Sequence, residues 1–230
     1  MAYTTIDKPT DYFNTITWTG DIQDSDGTGH DQSVTGIGFQ PDWLWHKCTS
    51  HANQHMLVDS IRGTGGSPTQ MLFFGADNTA ETNSNTNGAI ESIDSDGYTV
   101  TSGNDSSSKS NNAGANGRTY VAWSWKAGGA STSSNSDGSI TSNVSANTTA
   151  GFSIVTWTGS GSGATIGHGL GVQPQIVFVK NRDDTSSWNV YTVIGGGGKG
   201  LFLNDTAAFD SDTSYFNNGT ASTTTFPVGT

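Results

Sequence analysis

The sequence predicts an all-β protein of two tandem antiparallel β-sandwich modules, most simply sandwich or jelly-roll, with almost no helix. Three observations carry that expectation. Apolar residues recur every second position, the strand period, with no i, i+3, i+4, i+7 stripe. Thirty-one glycines, with abundant Ser, Thr and Asn, supply turns rather than helices. An ordered series of strand-like landmarks also occurs twice along the 230 residues.

The first landmark is "TITWTGD" (15–21), matched by "SIVTWTGS" (153–160). Its alternating β-branched and aromatic residues suit a half-buried pleated surface. Next, "GIGFQPDWLWHK" (36–47) matches "GLGVQPQIVFVK" (169–180), which aligns Pro41 with Pro174 and Lys47 with Lys180. Then "MLFF" (71–74) answers "GLFL" (200–203), and "GYTV" (97–100) answers "FPVG" (226–229), with Tyr98 opposite Phe226. Polar stretches in the first copy, "GDIQDSDGTGHDQS" and "GADNTAETNSNTNG", read as loops. "GGASTSSNSDGS" (128–139) reads as the linker, which sets the modules at 1–129 and 130–230.

The first copy ends on "TYVAWSWKAGG" (119–129), where Val121, Trp123 and Trp125 share one strand face. That face is expected to be largely buried. The second copy reaches "FPVGT" and contains no counterpart of this strand, and Pro227 in place of Thr99 removes a donor, as suits an edge. An open edge is closed by a strand from a neighbouring chain, by symmetric subunits, or by further sequence. The first two are the expectation, and hence a homo-oligomer.

Composition excludes several function classes. Hydrophobic residues make up 32% and aromatics 10%, so large rings must build the cores. The net charge is −11, and nine Lys and Arg are spread thinly, leaving no basic cluster for nucleic acid. The single Cys48 rules out an intrachain disulfide framework. No apolar run reaches ~18 residues, so no membrane insertion is expected. "MAYTTIDKPTDYF" has neither the basic nor the apolar region of a secretory signal, which predicts synthesis in a cytoplasm.

Candidate chemistry is sparse. His46, Cys48, His51 and His55 have metal-ligand identities and spacing, but the second copy aligns Val179, Asn181, Asp184 and Trp188 with them. No metal, cofactor or catalytic residue is therefore assigned. The "DSDG" segments at 24–27 and 94–97 and "NSDG" at 135–138 suit hairpin turns better than calcium loops. Glu81 and Glu91 are the only glutamates and do not form a glycosidase pair. "IGGGGKG" (194–200) lacks the hydroxyl residue that a phosphate loop needs after its Lys. Trp43, Trp45, Trp123 and Trp125 could stack on sugars, but Ile176 and Phe178 align with the first two, the replacement expected of core positions.

"YTTIDKPTDYFNTITWTGD", "TGIGFQPDWLW", "DSDGYTV", "TYVAWSWKAGG", "DGSITSNVSANTTAGFSIVTWTG" and "GHGLGVQP" together resemble a duplicated, β-rich domain of unknown function. That domain occurs in structural and tail-fibre-like proteins of marine tailed phages, cyanophage types among them. The resemblance spans essentially the whole chain and implies a virion component of lectin-like fold, with no catalytic residues. The His and Cys cluster departs from it. The expected function is a structural part of a phage virion, a tail fibre, appendage or capsid fibre, that helps attach the particle to its host. The alternatives are a purely architectural capsid decoration or tail adaptor, and an enzyme that cuts host glycan. Expected partners are other virion proteins, further copies of the chain and host-surface glycan.

Overall fold

The computed structural model describes residues 6–23, 30–62, 72–74, 87–103, 113–195, 199–209 and 213–229. Its contacts divide the chain into two compact units, Met1–Ala130 and Ser131–Thr230. The architecture is all-β, with several antiparallel sheets. Among the described residues, helix is confined to α1 (Thr213–Phe216) and short 3-10 turns at Pro9–Asp11 and Val193–Gly195.

The first unit holds β1 (Phe13–Thr19), β2 (Asp31–Thr35), β3 (Trp43–Cys48), β4 (His55–Asp59), β5 (Leu72–Phe74), β6 (Ala89–Asp94), β7 (Gly97–Thr101) and β8 (Thr119–Trp125). Five of them form a sheet in the order β1-β8-β3-β4-β5, and the other three form β2-β7-β6. The core draws on both sheets. Leu44, Met56, Val58 and Ala122 come from the first, and Val34, Ile90, Tyr98 and Val100 from the second. Each such side chain, fully withdrawn from water, contributes about 1.5–3 kcal/mol if it is Val-sized or larger.

"DSDG" at 94–97 is the tight turn of the β6–β7 hairpin, in which Asp94 pairs with Gly97. Only glycine fits at 97, because a Cβ there would lie 1.9 Å from the Val34 carbonyl oxygen. The Asp96 carboxylate accepts the amides of Gly36 (3.2 Å) and Gly38 (2.6 Å). It thereby fixes a loop whose two glycines have φ of +94° and +91°.

The second unit holds β9 (Ser133–Asn135), β10 (Ser142–Asn147), β11 (Phe152–Thr156), β12 (Ala164–Gly167), β13 (Ile176–Val179), β14 (Asn189–Thr192), β15 (Gly200–Phe202) and β16 (Thr225–Val228). They form three sheets, β11-β10-β9, β12-β16 and β13-β14-β15. Ile166, Tyr191, Phe216, Ala221 and Phe226 centre its core, with Val155, Trp157, Val177 and Val179 packed against them.

Strand pairing carries the sequence repeat into three dimensions. Trp43 faces Asp59 across β3–β4, as Ile176 faces Thr192 across β13–β14. Met56 faces Phe73 across β4–β5, as Asn189 faces Phe202 across β14–β15. Val34 opposes Tyr98, and Ile166 opposes Phe226. Gly169 and Gly171 repeat the positive φ of Gly36 and Gly38. Two residues separate Ile166 from Gly169, against one between Val34 and Gly36, so the second copy carries one extra residue there.

Two expectations change. The residues that β8 sends to the core cluster side are Tyr120, Ala122 and Ser124, all with no exposure, whereas Trp123 and Trp125 lie on the opposite face and are half-buried. β8 is a central strand with buried residues on both faces, Val121 on the side of Trp123 and Trp125, so period-two alternation marks two faces without saying which meets the core. The predicted linker is also partly structured: Ser133–Asn135 forms β9 and pairs with β10. Pro227 lies on β16, which pairs only with β12 among the described residues, the single-partner position expected of it.

Candidate functional site

The aromatic residues singled out in the sequence converge on one sheet face. β8 lies between β1 and β3, with Trp125 opposite both Phe13 and Trp43, and Trp123 opposite Thr15 and Trp45. Cross-strand neighbours share a face, so the rings tile. Centroids are 4.8 Å apart for Phe13–Trp125, 4.6 Å for Trp43–Trp125 and 5.8 Å for Trp45–Trp123. Such offset and edge contacts add about 0.5–1.5 kcal/mol each beyond area burial. Trp43 is 8% exposed and Phe13 38%, so the row grades from covered to open.

The four metal-type side chains do not form one centre. His46 is fully buried, with Nδ1 3.1 Å from the Tyr98 hydroxyl. Cys48 is buried, with Sγ 3.7 Å from Ser50 Oγ. His51 is exposed, and its Nδ1 lies 2.9 Å from the same hydroxyl. His55 accepts the Trp45 indole N–H at Nδ1, 2.8 Å away. Desolvation, with a smaller repulsion from Lys47, lowers the His55 pKa to about 4, so the ring is neutral and suited to that acceptor role. Among the described residues no three His, Cys, Asp or Glu are grouped to hold a metal ion.

The other candidates are placed individually. Glu91 sits at the β6 irregularity, where burial and then Asp31 raise its pKa. "NSDG" at 135–138 is a local turn, in which Asn135 Oδ1 accepts the Asp137 amide at 3.0 Å. Glu81, "DSDG" at 24–27 and the centre of "IGGGGKG" lie outside the described residues.

A feature the sequence reading missed lies in the second unit. A cleft of about 390 Å³ is lined by Ile140, Asn143, Thr156, Trp157, Thr158 and Arg182. Trp157 packs edge-on to Phe226 at 5.7 Å, and its indole N–H meets no acceptor among the described residues. Its repeat counterpart Trp18 is fully engaged: the indole donates to Tyr98 Oη (2.9 Å), and the ring stacks on Tyr120 at 4.6 Å. The available signal was the shared "TWTG", which sets Trp157 at the place of Trp18.

Residues 8–230 match the family described as a domain of unknown function, DUF7483, and the chain belongs to that family. No curated protein and no solved structure matches it.

Proposed function

We propose that this member of the family is a non-catalytic structural component of a phage virion, built from two tandem β-sandwich modules, that contributes to attachment by holding host-surface glycan on the aromatic face of its first unit. The carrying observation is the tiled row Phe13–Trp125–Trp43 with Trp123 and Trp45 beside it. Its half-open rings offer flat apolar area of the kind that stacks on sugar faces, and Thr15 and Thr17 of β1 lie on the same exposed side. A first-unit core fed by both sheets supports the sandwich reading.

The test is binding of the purified chain to host cells and to polysaccharide extracted from them. Trp125→Ala and Phe13→Ala are expected to weaken binding about tenfold or more while the chain stays folded. Wild-type chain that binds neither cells nor polysaccharide defeats the attachment role. Release of reducing sugar would replace it with an enzymatic one.

A further inference from the structure

We propose that the cleft of the second unit binds an acidic sugar, a hexuronate, whose carboxylate is held by Arg182 and whose hydroxyls meet the polar side chains of the β10–β11 hairpin. This site belongs to the second unit alone, and it stands whether or not the aromatic face of the first unit holds glycan.

The hairpin supplies a polar wall. Asn143 and Thr156 are cross-strand partners and so share a face. Thr141 and Thr158, each two positions further out, continue it, and all four line the cleft. None of the four spends its side chain on a hydrogen bond among the described residues. Three hydroxyls and one carboxamide thus set donors and acceptors side by side, the mixture that the adjacent hydroxyls of a sugar ring match. A simple anion has acceptors only and would leave the acceptors of this wall unmatched.

Trp157 adds apolar area and one more donor. It lines the cleft while its ring packs edge-on to Phe226 at 5.7 Å. At the equivalent place in the first unit, the Trp18 indole N–H is taken by Tyr98 Oη at 2.9 Å. Phe226 stands opposite Ile166 as Tyr98 stands opposite Val34, but it has no oxygen to accept the Trp157 N–H. The second unit therefore keeps that donor for a ligand.

Arg182 sets the ligand's charge. It stands where the first copy has Thr49, whose hydroxyl bonds the Thr119 carbonyl at 3.0 Å. Its planar fork carries five N–H donors, so two can hold a carboxylate side-on and three are left for the protein. Among the described residues no Asp or Glu lines the cleft, in a chain whose net charge is −11. Asp183 and Asp184 follow Arg182 in sequence but lie outside the lining. The Asp183 amide is turned to Asn181 Oδ1 (3.0 Å), and the Asp184 charge is offset by the Lys180 ammonium beside it. One guanidinium matches one carboxylate, whereas a phosphate monoester would bring a second negative charge with no second cation in the lining. The volume, about 390 Å³, is near the small end of the ~300–1,000 Å³ typical of ligand pockets, which suits one or two sugar rings rather than a long chain.

The probes are the methyl glycosides of glucuronic and galacturonic acid, titrated into the intact chain and followed by the indole N–H resonances. Methyl glucoside and methyl galactoside are the neutral controls. Expected is a saturable shift of the Trp157 indole with at least one uronate. Its neutral counterpart is expected to bind at least about tenfold more weakly, and so is the uronate to Arg182→Gln, an exposed loop change. Asn143→Ala is expected to weaken the uronate as well. No Trp157 shift with either uronate overturns the proposal, as does equal binding of acidic and neutral sugars. Uronate binding that Arg182→Gln leaves intact, or shifts at Trp123 and Trp125 in place of Trp157, overturns it too.

Discussion

Tyr98→Phe tests the core of the first unit most sharply. The Tyr98 ring is fully buried, and its hydroxyl sits between two side chains distant in sequence. It accepts the Trp18 indole N–H at 2.9 Å and lies 3.1 Å from His46 Nδ1, to which its own proton is free to go. Burial pushes the phenol pKa far up, so the hydroxyl keeps that proton at any working pH. Phenylalanine preserves the ring, which meets His46 edge-on at 5.9 Å, and deletes only the bridging oxygen. The loss is then one bond from the half-buried Trp18 and one from the fully buried His46. Losing the two bonds costs about 1–3 kcal/mol in total. The second unit has already made the paired change, with Phe226 for Tyr98 and Val179 for His46. His46→Val alone is therefore expected to destabilise, and the double variant to recover about 1 kcal/mol relative to the sum of the singles. Urea unfolding followed by near-UV circular dichroism gives all four corners of the cycle. A Tyr98→Phe chain as stable as wild type, or strictly additive single changes, would refute the shared-hydroxyl argument.

Three further outcomes are expected. Ser124 Oγ is buried without a partner among the described residues, so Ser124→Ala is expected to be neutral or to stabilise by about 1 kcal/mol on a urea curve, a deletion that leaves no orphan behind. Asp42, 2% exposed, accepts the Ser60 hydroxyl (2.9 Å) and the Ala127 and Gly129 amides (2.8 and 3.1 Å); Asp42→Asn turns a donor toward those donors and is expected to cost about 1–3 kcal/mol, with faster exchange of the 127 and 129 amides as the readout. His55 is held below its ordinary pKa, so the unfolded chain binds its proton first: stability is complete above about 6.5 and declines as pH falls toward about 4. Urea midpoints across that window are expected to drop more steeply for wild type than for His55→Asn, and parallel slopes would discount the Trp45–His55 bond.

What could be read from the sequence was set by whether the cause is local. β1, β3, β11 and β13 were legible because alternation, Gln-Pro and a following Lys recur in both copies. The hairpin at 94–97 was legible because Asp-Gly turn chemistry is local. The core-facing side of β8 was not, since Tyr120, Ala122 and Ser124 are buried on one side and Val121 on the other. The Trp18–Tyr98–His46 chain spans 80 positions and depends on two sheets meeting, which no window of sequence contains. The cleft was hidden for a different reason: Ile140, Trp157 and Arg182 lie far apart in sequence, and only the fold brings them to one lining.

The repeat also separates what shapes a loop from what decorates it. Lys47 Nζ reaches the carbonyls of Cys48 (2.5 Å) and His51 (3.3 Å). Lys180 Nζ reaches those of Asn181 (2.5 Å) and Asp184 (3.0 Å), the same two positions of its own copy. An ammonium gathering main-chain carbonyls closes the loop whatever side chains those residues carry. The first copy can thus present Thr, Ser and His after its strand, while the second presents Arg and two Asp. Burial lowers the Lys180 pKa, and the nearby Asp184 charge opposes the shift. With loop shape fixed by lysine, one exchanged side chain is enough to change what the loop meets. Thr49 ties down the start of β8 in the first unit, and in the second the same station puts the Arg182 guanidinium at the cleft.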